Sequence, residues 1–271
     1  MTISILGCGW FGLPLAELLI SRGHDVNGST TTVEKQTILR YKHITPFLID
    51  LSRSKLHHLA SSPFFDCDVL VITVPAKKME EDPNMIETLA GLLRSLRIVR
   101  IVFTSSTSVY GENNHNVDEG SDPCPTKPIG RILLDAENLL SSIEGSDTIC
   151  LRFGGLVGPG RFPGHFFRSS KPIPNGLAPV NLIHLDDCLA ITVQLIEGNY
   201  GKTIINAVCP HHPTRATFYT MAARAVGQPV PNFIPEKDSW KIVKSKYLTS
   251  LLNYEFRIKS WFVWLVREPR E

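Results

Sequence analysis

Strand-like and helix-like runs alternate through the first 153 residues, and that rhythm limits the fold more than any other feature. Ile3-Ser4-Ile5-Leu6 is a short apolar strand. Leu13 to Ile20 has helical spacing at Leu15, Leu18 and Leu19, and Gly23 ends it. Asp25-Val26-Asn27 starts a second strand and Pro46-Phe47-Leu48-Ile49 reads as a third. Asp68 to Val74 is nearly all β-branched or apolar, the composition of a strand buried on both faces. An amphipathic helix from Ile86 to Leu96, a strand from Ile98 to Phe103, a helix from Ile129 to Ile143 and a strand from Thr148 to Phe153 continue the pattern. Strands separated by helices of this length predict an α/β fold, a parallel sheet joined by right-handed crossovers.

After Phe153 the rhythm breaks. Gly154 to Gly164 holds five glycines and two prolines, and Lys171 to Pro179 is again rich in both. Such loops tend to line sites. A helix from Asp187 to Ile196, a strand near Ile204 and a helix from Thr217 to Val226 follow. The apolar end, Trp261 to Val266, either packs onto the body or forms the contact of a homodimer. At about 150 residues per domain, 271 residues allow one large domain or two small ones.

Composition removes several classes. Lys+Arg 28 against Asp+Glu 26 leaves a net charge of +2, and no basic stripe or aromatic-basic patch supports a nucleic-acid partner. The longest uncharged stretch, Thr2 to Ala16, contains Gly7, Gly9, Gly12 and Pro14 and is too short to cross a membrane. No basic start precedes it, as a signal peptide requires. Cys8, Cys67, Cys124, Cys150, Cys188 and Cys209 form no C-x-x-C pair, and they read as free thiols in a reducing, cytoplasmic compartment. Cys209-Pro-His211-His212 is the one metal-like cluster; it is short of ligands, and a polar loop is the plainer account.

The chemistry-bearing motif is Gly7-Cys8-Gly9-Trp10-Phe11-Gly12, a G-x-G-x-x-G that directly follows a strand and opens a helix. Gly7 permits the tight turn. Gly9 has no side chain to hold a pyrophosphate off the backbone. Gly12 lets the helix pack close to the strand, and the helix N-terminus favours phosphate. A glycine-rich turn without a ligand is the alternative. Cofactor choice rests on the end of the second strand, where an acid would hold the ribose 2′-hydroxyl of NAD. Gly28-Ser29-Thr30-Thr31-Thr32 contains none. Hydroxyls there, Thr30 and Thr31 among them, favour NADP over NAD, although the expected arginine is also missing.

The fingerprint, Thr104-Ser105-Ser106-Thr107-Ser108-Val109-Tyr110-Gly111, the segment Leu151 to Arg161 and Asn181 to Asp187 together resemble the extended short-chain dehydrogenase/reductases, the NAD-dependent epimerase/dehydratase group, and its atypical members most. The resemblance covers about two-thirds of the chain. It implies a doubly wound Rossmann domain over residues 1–160. Residues 161–271 would be mainly a smaller substrate-binding part, with some segments returning to the first. By the same resemblance Gly7, Gly9, Trp10, Phe11 and Gly12 hold the pyrophosphate, Asp50 and Leu51 meet the adenine side, and Val74 and Pro75 line the cofactor. Ser106 falls on the catalytic Ser/Thr that hydrogen-bonds the substrate oxygen. His184 and Asp187 fall where a helix starts, with a capping role expected.

The sequence departs from the group at its Tyr-x-x-x-Lys pair. Alignment on Pro128, Gly130 and Glu137 puts Ile129 at the tyrosine and Leu133 at the lysine, and neither transfers a proton. Losing a general acid costs on the order of 10² to 10⁴ in rate. Tyr110 and His165 are the nearest stand-ins, each with a structural alternative. Arg161 and Arg168 are suited to a phosphate or carboxylate on a small-molecule substrate. Two functions therefore stand at this point. One is an NAD(P)-dependent oxidoreductase or epimerase/dehydratase-like enzyme acting on a carbonyl/hydroxyl or sugar-nucleotide substrate. The other is a non-catalytic NAD(P)-sensing regulator.

Overall fold

A computed structural model describes residues 1–51, 59–96, 98–167 and 171–267 of the chain. In order the elements are β1 (Thr2–Leu6), α1 (Gly12–Ser21), β2 (Asp25–Thr30), α2 (Val33–Tyr41), β3 (Thr45–Leu48), β4 (Val69–Ile72), α3 (Ala76–Glu81), α4 (Met85–Arg94) and β5 (Arg100–Ser106). There follow β6 (His115–Val117), α5 (Pro128–Ser141), β7 (Asp147–Phe153), β8 (Gly155–Val157), β9 (Leu182–His184) and α6 (Leu185–Glu197). The chain then forms β10 (Thr203–Ala207), α7 (Arg215–Ala225), β11 (Lys241–Val243), α8 (Lys246–Ser250) and α9 (Trp261–Arg267).

Seven strands form one sheet in the order β10-β7-β5-β4-β1-β2-β3, and the pairs β4–β5, β1–β4, β1–β2 and β2–β3 are parallel. This is the doubly wound α/β architecture expected. All four residues of β4 are buried, as are Ile3, Ile5 and Leu6 of β1, because helices cover both faces of such a sheet. The chain leaves β1 toward β2 on one side and returns at β4 on the other. The carboxyl end of β1 is thus the topological switch point, where open α/β sheets bind ligands. Register fixes its neighbours: Ile5 lies opposite Gly28 of β2, and Leu6 opposite Ile72 of β4.

By contacts the chain forms two compact units. The first holds residues 1–109, 127–152 and 189–204; the second holds 110–126, 153–188 and 205–271. The second unit contains two small parallel pairs, β6 with β11 and β8 with β9. Its core gathers Val157, Val180, Leu182, Phe218 and Ala222 around Trp261, Trp264 and Leu265 of α9. The apolar terminus therefore packs onto α7, leaving Val263 and Val266 exposed.

β2 ends at Thr30, within the Gly28–Thr32 stretch expected for its end, and a Cβ on Gly28 would lie 2.6 Å and 2.8 Å from the side chains of Ile44 and Cys8. Other elements differ from expectation. β5 starts at Arg100 and ends at Ser106. Helices α2 and α3 leave a faint apolar periodicity in the sequence, because each buries one side chain, Leu39 and Met79. Glu80 and Glu81 lie at the end of α3, a few residues before α4. There Lys78 bonds Glu81 at 3.0 Å and holds its carboxyl below the usual range.

Candidate functional site

The loop from Gly7 to Phe11 is fixed by its glycines and by the strands beside it. Gly7 has φ +112, a conformation that side chains with a Cβ rarely adopt, and a Cβ there would sit 2.8 Å from Thr73 Oγ1. A Cβ on Gly12 would lie 2.2 Å from the Gly7 carbonyl oxygen. Gly9 is different: it is exposed, and a Cβ added there meets nothing within 4 Å. The first and third glycines are required by the fold, whereas the second opens onto free space. No side chain caps the N-terminus of α1. A bare backbone facing open space beside an uncapped helix start fits the diphosphate of a dinucleotide.

Cys8 is the residue between the first two glycines. Burial pushes its thiol up to about 12, so it stays protonated at neutral pH and packs rather than reacts.

The remaining expected cofactor residues lie along the same carboxyl edge of the parallel sheet. Thr30 ends β2 and is buried, its hydroxyl 3.4 Å from the Thr32 N–H, while Thr31 beside it is exposed. Asp50 and Leu51 follow β3, with Leu51 buried. Val74 is half-buried after β4, and Pro75 is exposed at the start of α3. Trp10 is half-buried and Phe11 buried.

Ser106 ends β5, and its hydroxyl accepts the Ser108 N–H at 3.2 Å. The hydroxyl oxygen thus caps the backbone, which leaves the hydroxyl proton available to an acceptor. One residue earlier, Ser105 donates to Glu137 at 2.5 Å. Arg152 of β7 meets the same carboxylate through Nε at 3.0 Å and Nη2 at 2.6 Å. This buried pair satisfies its own hydrogen bonds and ties β5, α5 and β7 together. At the head of α5, Ile129 is half-buried and Leu133 is 3% exposed.

Within the second unit, His184 accepts the Asp186 N–H at 3.2 Å, the capping role expected of it. Asp187 does not cap. Its buried carboxylate accepts Tyr254 O–H and the Arg257 N–H, both at 2.7 Å, and thereby fastens the segment leading to α9. Burial first, then Asp187, raises the Tyr254 hydroxyl far above its ordinary value. The Cys209–His212 cluster also serves packing: His212 Nδ1 meets the Val180 carbonyl at 2.9 Å, and His211 accepts the Trp261 N–H at 3.0 Å. No group of three metal-ligating side chains exists among the described residues. His165 is half-buried, in a short turn, and Arg161 is exposed; Arg168 lies outside the described residues. No helix among the described residues is long and apolar enough to cross a membrane.

Sequence reasoning missed two residues at the glycine loop. Ser29 Oγ accepts the Gly7 N–H at 2.9 Å, and Thr73 Oγ1 donates to the Gly7 carbonyl at 2.5 Å. Their signal was available: each is a hydroxyl at the end of a strand flanking β1.

Comparison with known proteins gives the family and the fold. Residues 3–197 match the NAD dependent epimerase/dehydratase family. The chain belongs to that family. It is 36% identical over 262 residues to Protein YeeZ of Escherichia coli K12, covering 94% of this chain and 95% of that one. The fold of this epimerase/dehydratase member is shared with solved structures of low identity. One is UDP-glucuronic acid 4-epimerase from Bacillus cereus in complex with NAD, at TM-score 0.77, 20% identity and coverage of 99% and 97% of the two chains. Another is dTDP-glucose 4,6-dehydratase from Bacillus anthracis, also in complex with NAD, at TM-score 0.77, 14% identity and coverage of 97% and 94%.

Proposed function

We propose that this epimerase/dehydratase family member binds NADP or NAD, with NADP favoured. On this reading it acts as an oxidoreductase or epimerase/dehydratase-like enzyme on a small carbonyl/hydroxyl or sugar-nucleotide substrate. The observation that carries the reading is the contrast within the loop: a Cβ on Gly7 or Gly12 would come within 3 Å of a neighbouring atom, while one on Gly9 would meet nothing within 4 Å.

Gly7, Gly9, Trp10, Phe11 and Gly12 hold the diphosphate; Thr30 and Thr31 face the 2′ side, Asp50 and Leu51 the adenine, Val74 and Pro75 the edge of the cleft. NADP is supported by the lack of an acid from Gly28 to Thr32; the first acid beyond is Glu34, exposed in the first turn of α2. When bound, the nicotinamide supplies a hydride acceptor or donor. Ser106, already accepting from Ser108, would donate a hydrogen bond to the substrate oxygen and polarise it. Ile129 and Leu133 stand where the family places its Tyr and Lys, so proton transfer falls to another group. The second unit is the proposed substrate part. Cysteines that are all free support a reducing, cytoplasmic setting.

A second reading, a non-catalytic NAD(P) sensor, is favoured by the apolar character of Ile129 and Leu133. Calorimetry with NADP, NADPH, NAD and NADH separates the two when paired with a carbonyl/alcohol substrate panel. The enzyme reading expects coenzyme binding that Gly9→Glu abolishes, and turnover that Ser106→Ala lowers by about 10²-fold or more. Turnover that is undetectable with every substrate, alongside tight binding, sinks the enzyme. Equal affinity for oxidised and reduced coenzyme sinks the sensor, since such a ligand shifts no equilibrium.

A further inference from the structure

We propose that Ser29 and Thr73 are positioning residues that clamp the first glycine of the loop from opposite sides and hold it in its diphosphate-binding shape; this rests on the coenzyme-binding reading above. The sheet order is β4-β1-β2, so the two hydroxyls approach β1 from its two neighbours. Register supplies the placement. With Leu6 opposite Ile72, the next residue on β4's side is Thr73; with Ile5 opposite Gly28, Ser29 falls one step along on the other.

The two bonds act on the two ends of one residue. Ser29 Oγ takes the Gly7 N–H at 2.9 Å, and the Ser29 carbonyl takes the Cys8 N–H at 3.0 Å. Thr73 Oγ1 gives its proton to the Gly7 carbonyl at 2.5 Å. That same carbonyl accepts the Gly9 N–H at 2.8 Å. One oxygen therefore links the Thr73 hydroxyl to Gly9, the residue whose open side is proposed to take the diphosphate. Ser29 is 3% exposed, so its hydroxyl belongs to the loop rather than to solvent. Gly7 is held at φ +112 by these bonds rather than by side-chain packing of its own, and a preorganised loop loses less freedom when a ligand docks.

The experiment is calorimetry of wild type, Thr73→Val, Thr73→Ser, Ser29→Ala and the Thr73→Val/Ser29→Ala pair with the four coenzymes and with ADP-ribose. ADP-ribose carries the diphosphate without the nicotinamide. Thr73→Val sets a methyl group where Oγ1 lies 2.5 Å from the Gly7 carbonyl, so part of its effect is steric; Ser29→Ala adds no atom and reads the clamp independently. Each loss of hydroxyl is expected to weaken the dinucleotide and ADP-ribose by about 3- to 10-fold, and Thr73→Ser to restore binding to within about 2-fold. A melting temperature that falls while both affinities stay at wild type would make the hydroxyls purely structural and overturn the proposal. So would a loss confined to the dinucleotide, which would place the effect at the nicotinamide end. A wild-type chain that binds none of the coenzymes overturns the functional reading itself, a result distinct from either.

Discussion

Two helix entries in the first unit, the loop into α1 and the head of α5, follow opposite logics. At the loop the shape is set by backbone and small side chains: three glycines, two hydroxyls and an uncapped helix start. At α5 the positions proposed to stand in place of the family's Tyr and Lys are the apolar Ile129 and Leu133, and Leu133 is 3% exposed. On the proposed reading, a binding surface made of main chain is written into the fold, because the same glycines that let the strand and helix pack also shape the cradle. Proton transfer is carried by individual side chains, and those can be exchanged without disturbing the packing around them. On that reading the capacity to bind a dinucleotide and the capacity to move a proton are therefore separable in one molecule.

The largest expected effect tests whether the α5 region has kept its scaffold. Glu137 is shared by Ser105 and Arg152, whose side chain is 1% exposed. Glu137→Ala removes the buried carboxylate from that guanidinium and is expected to cost about 3–5 kcal/mol, read by urea denaturation. Fold and coenzyme binding should fail together. A loss under about 1 kcal/mol would mean that the network does not hold α5, and the contrast with the loop would lose one of its sides.

The loop offers the next effect, and it comes as a pair. Gly12→Ala places a Cβ 2.2 Å from the Gly7 carbonyl, a backbone atom that cannot swing aside, and is expected to cost about 1–3 kcal/mol of stability. Gly9→Ala meets nothing within 4 Å and should leave the melting temperature within about 1–2 °C of wild type. Its effect belongs in the binding isotherm, where a methyl group stands between backbone and diphosphate. If Gly9→Ala melted the protein as Gly12→Ala does, the loop would be a packing motif and not a cradle.

How much of this was legible in the sequence follows the same division. The glycine spacing after Ile3 to Leu6 carried the loop, because a motif made by backbone demands glycine at fixed offsets. The buried strands were equally plain, since β4 is apolar at every position. Helix α2 was not, as it buries only Leu39, and three-residue strands such as β6 leave no period to detect. Asp187 was expected to cap a helix from its place at the start of α6. Its real partners, Tyr254 and Arg257, lie some 70 positions on, a distance no local pattern spans. Ser29 and Thr73 fell in view but not in role, because their bonds depend on strand order, which only the assembled sheet fixes.

The smallest effect lies outside both regions and serves as their control. Arg22, just beyond α1, bonds Glu197 at the end of α6 through two contacts of 2.6 Å, and His24 adds a third at 3.0 Å. The Arg22 bond, more than any other cause, brings the Glu197 carboxyl down to about 2. A carboxylate whose folded value lies below its unfolded one stabilises the protein above the unfolded value of 4.5, and that contribution fades as pH falls through about 2. The pair is partly exposed, so screening keeps it small. Glu197→Gln should therefore lower the melting temperature by no more than about 2 °C at pH 7, with the difference from wild type closing between about pH 4.5 and 2 and shrinking in high salt. Coenzyme affinity should not move. A change in affinity as large as that of Gly9→Ala would show that the α1 terminus is coupled to the loop, and the cradle would then extend the full length of that helix.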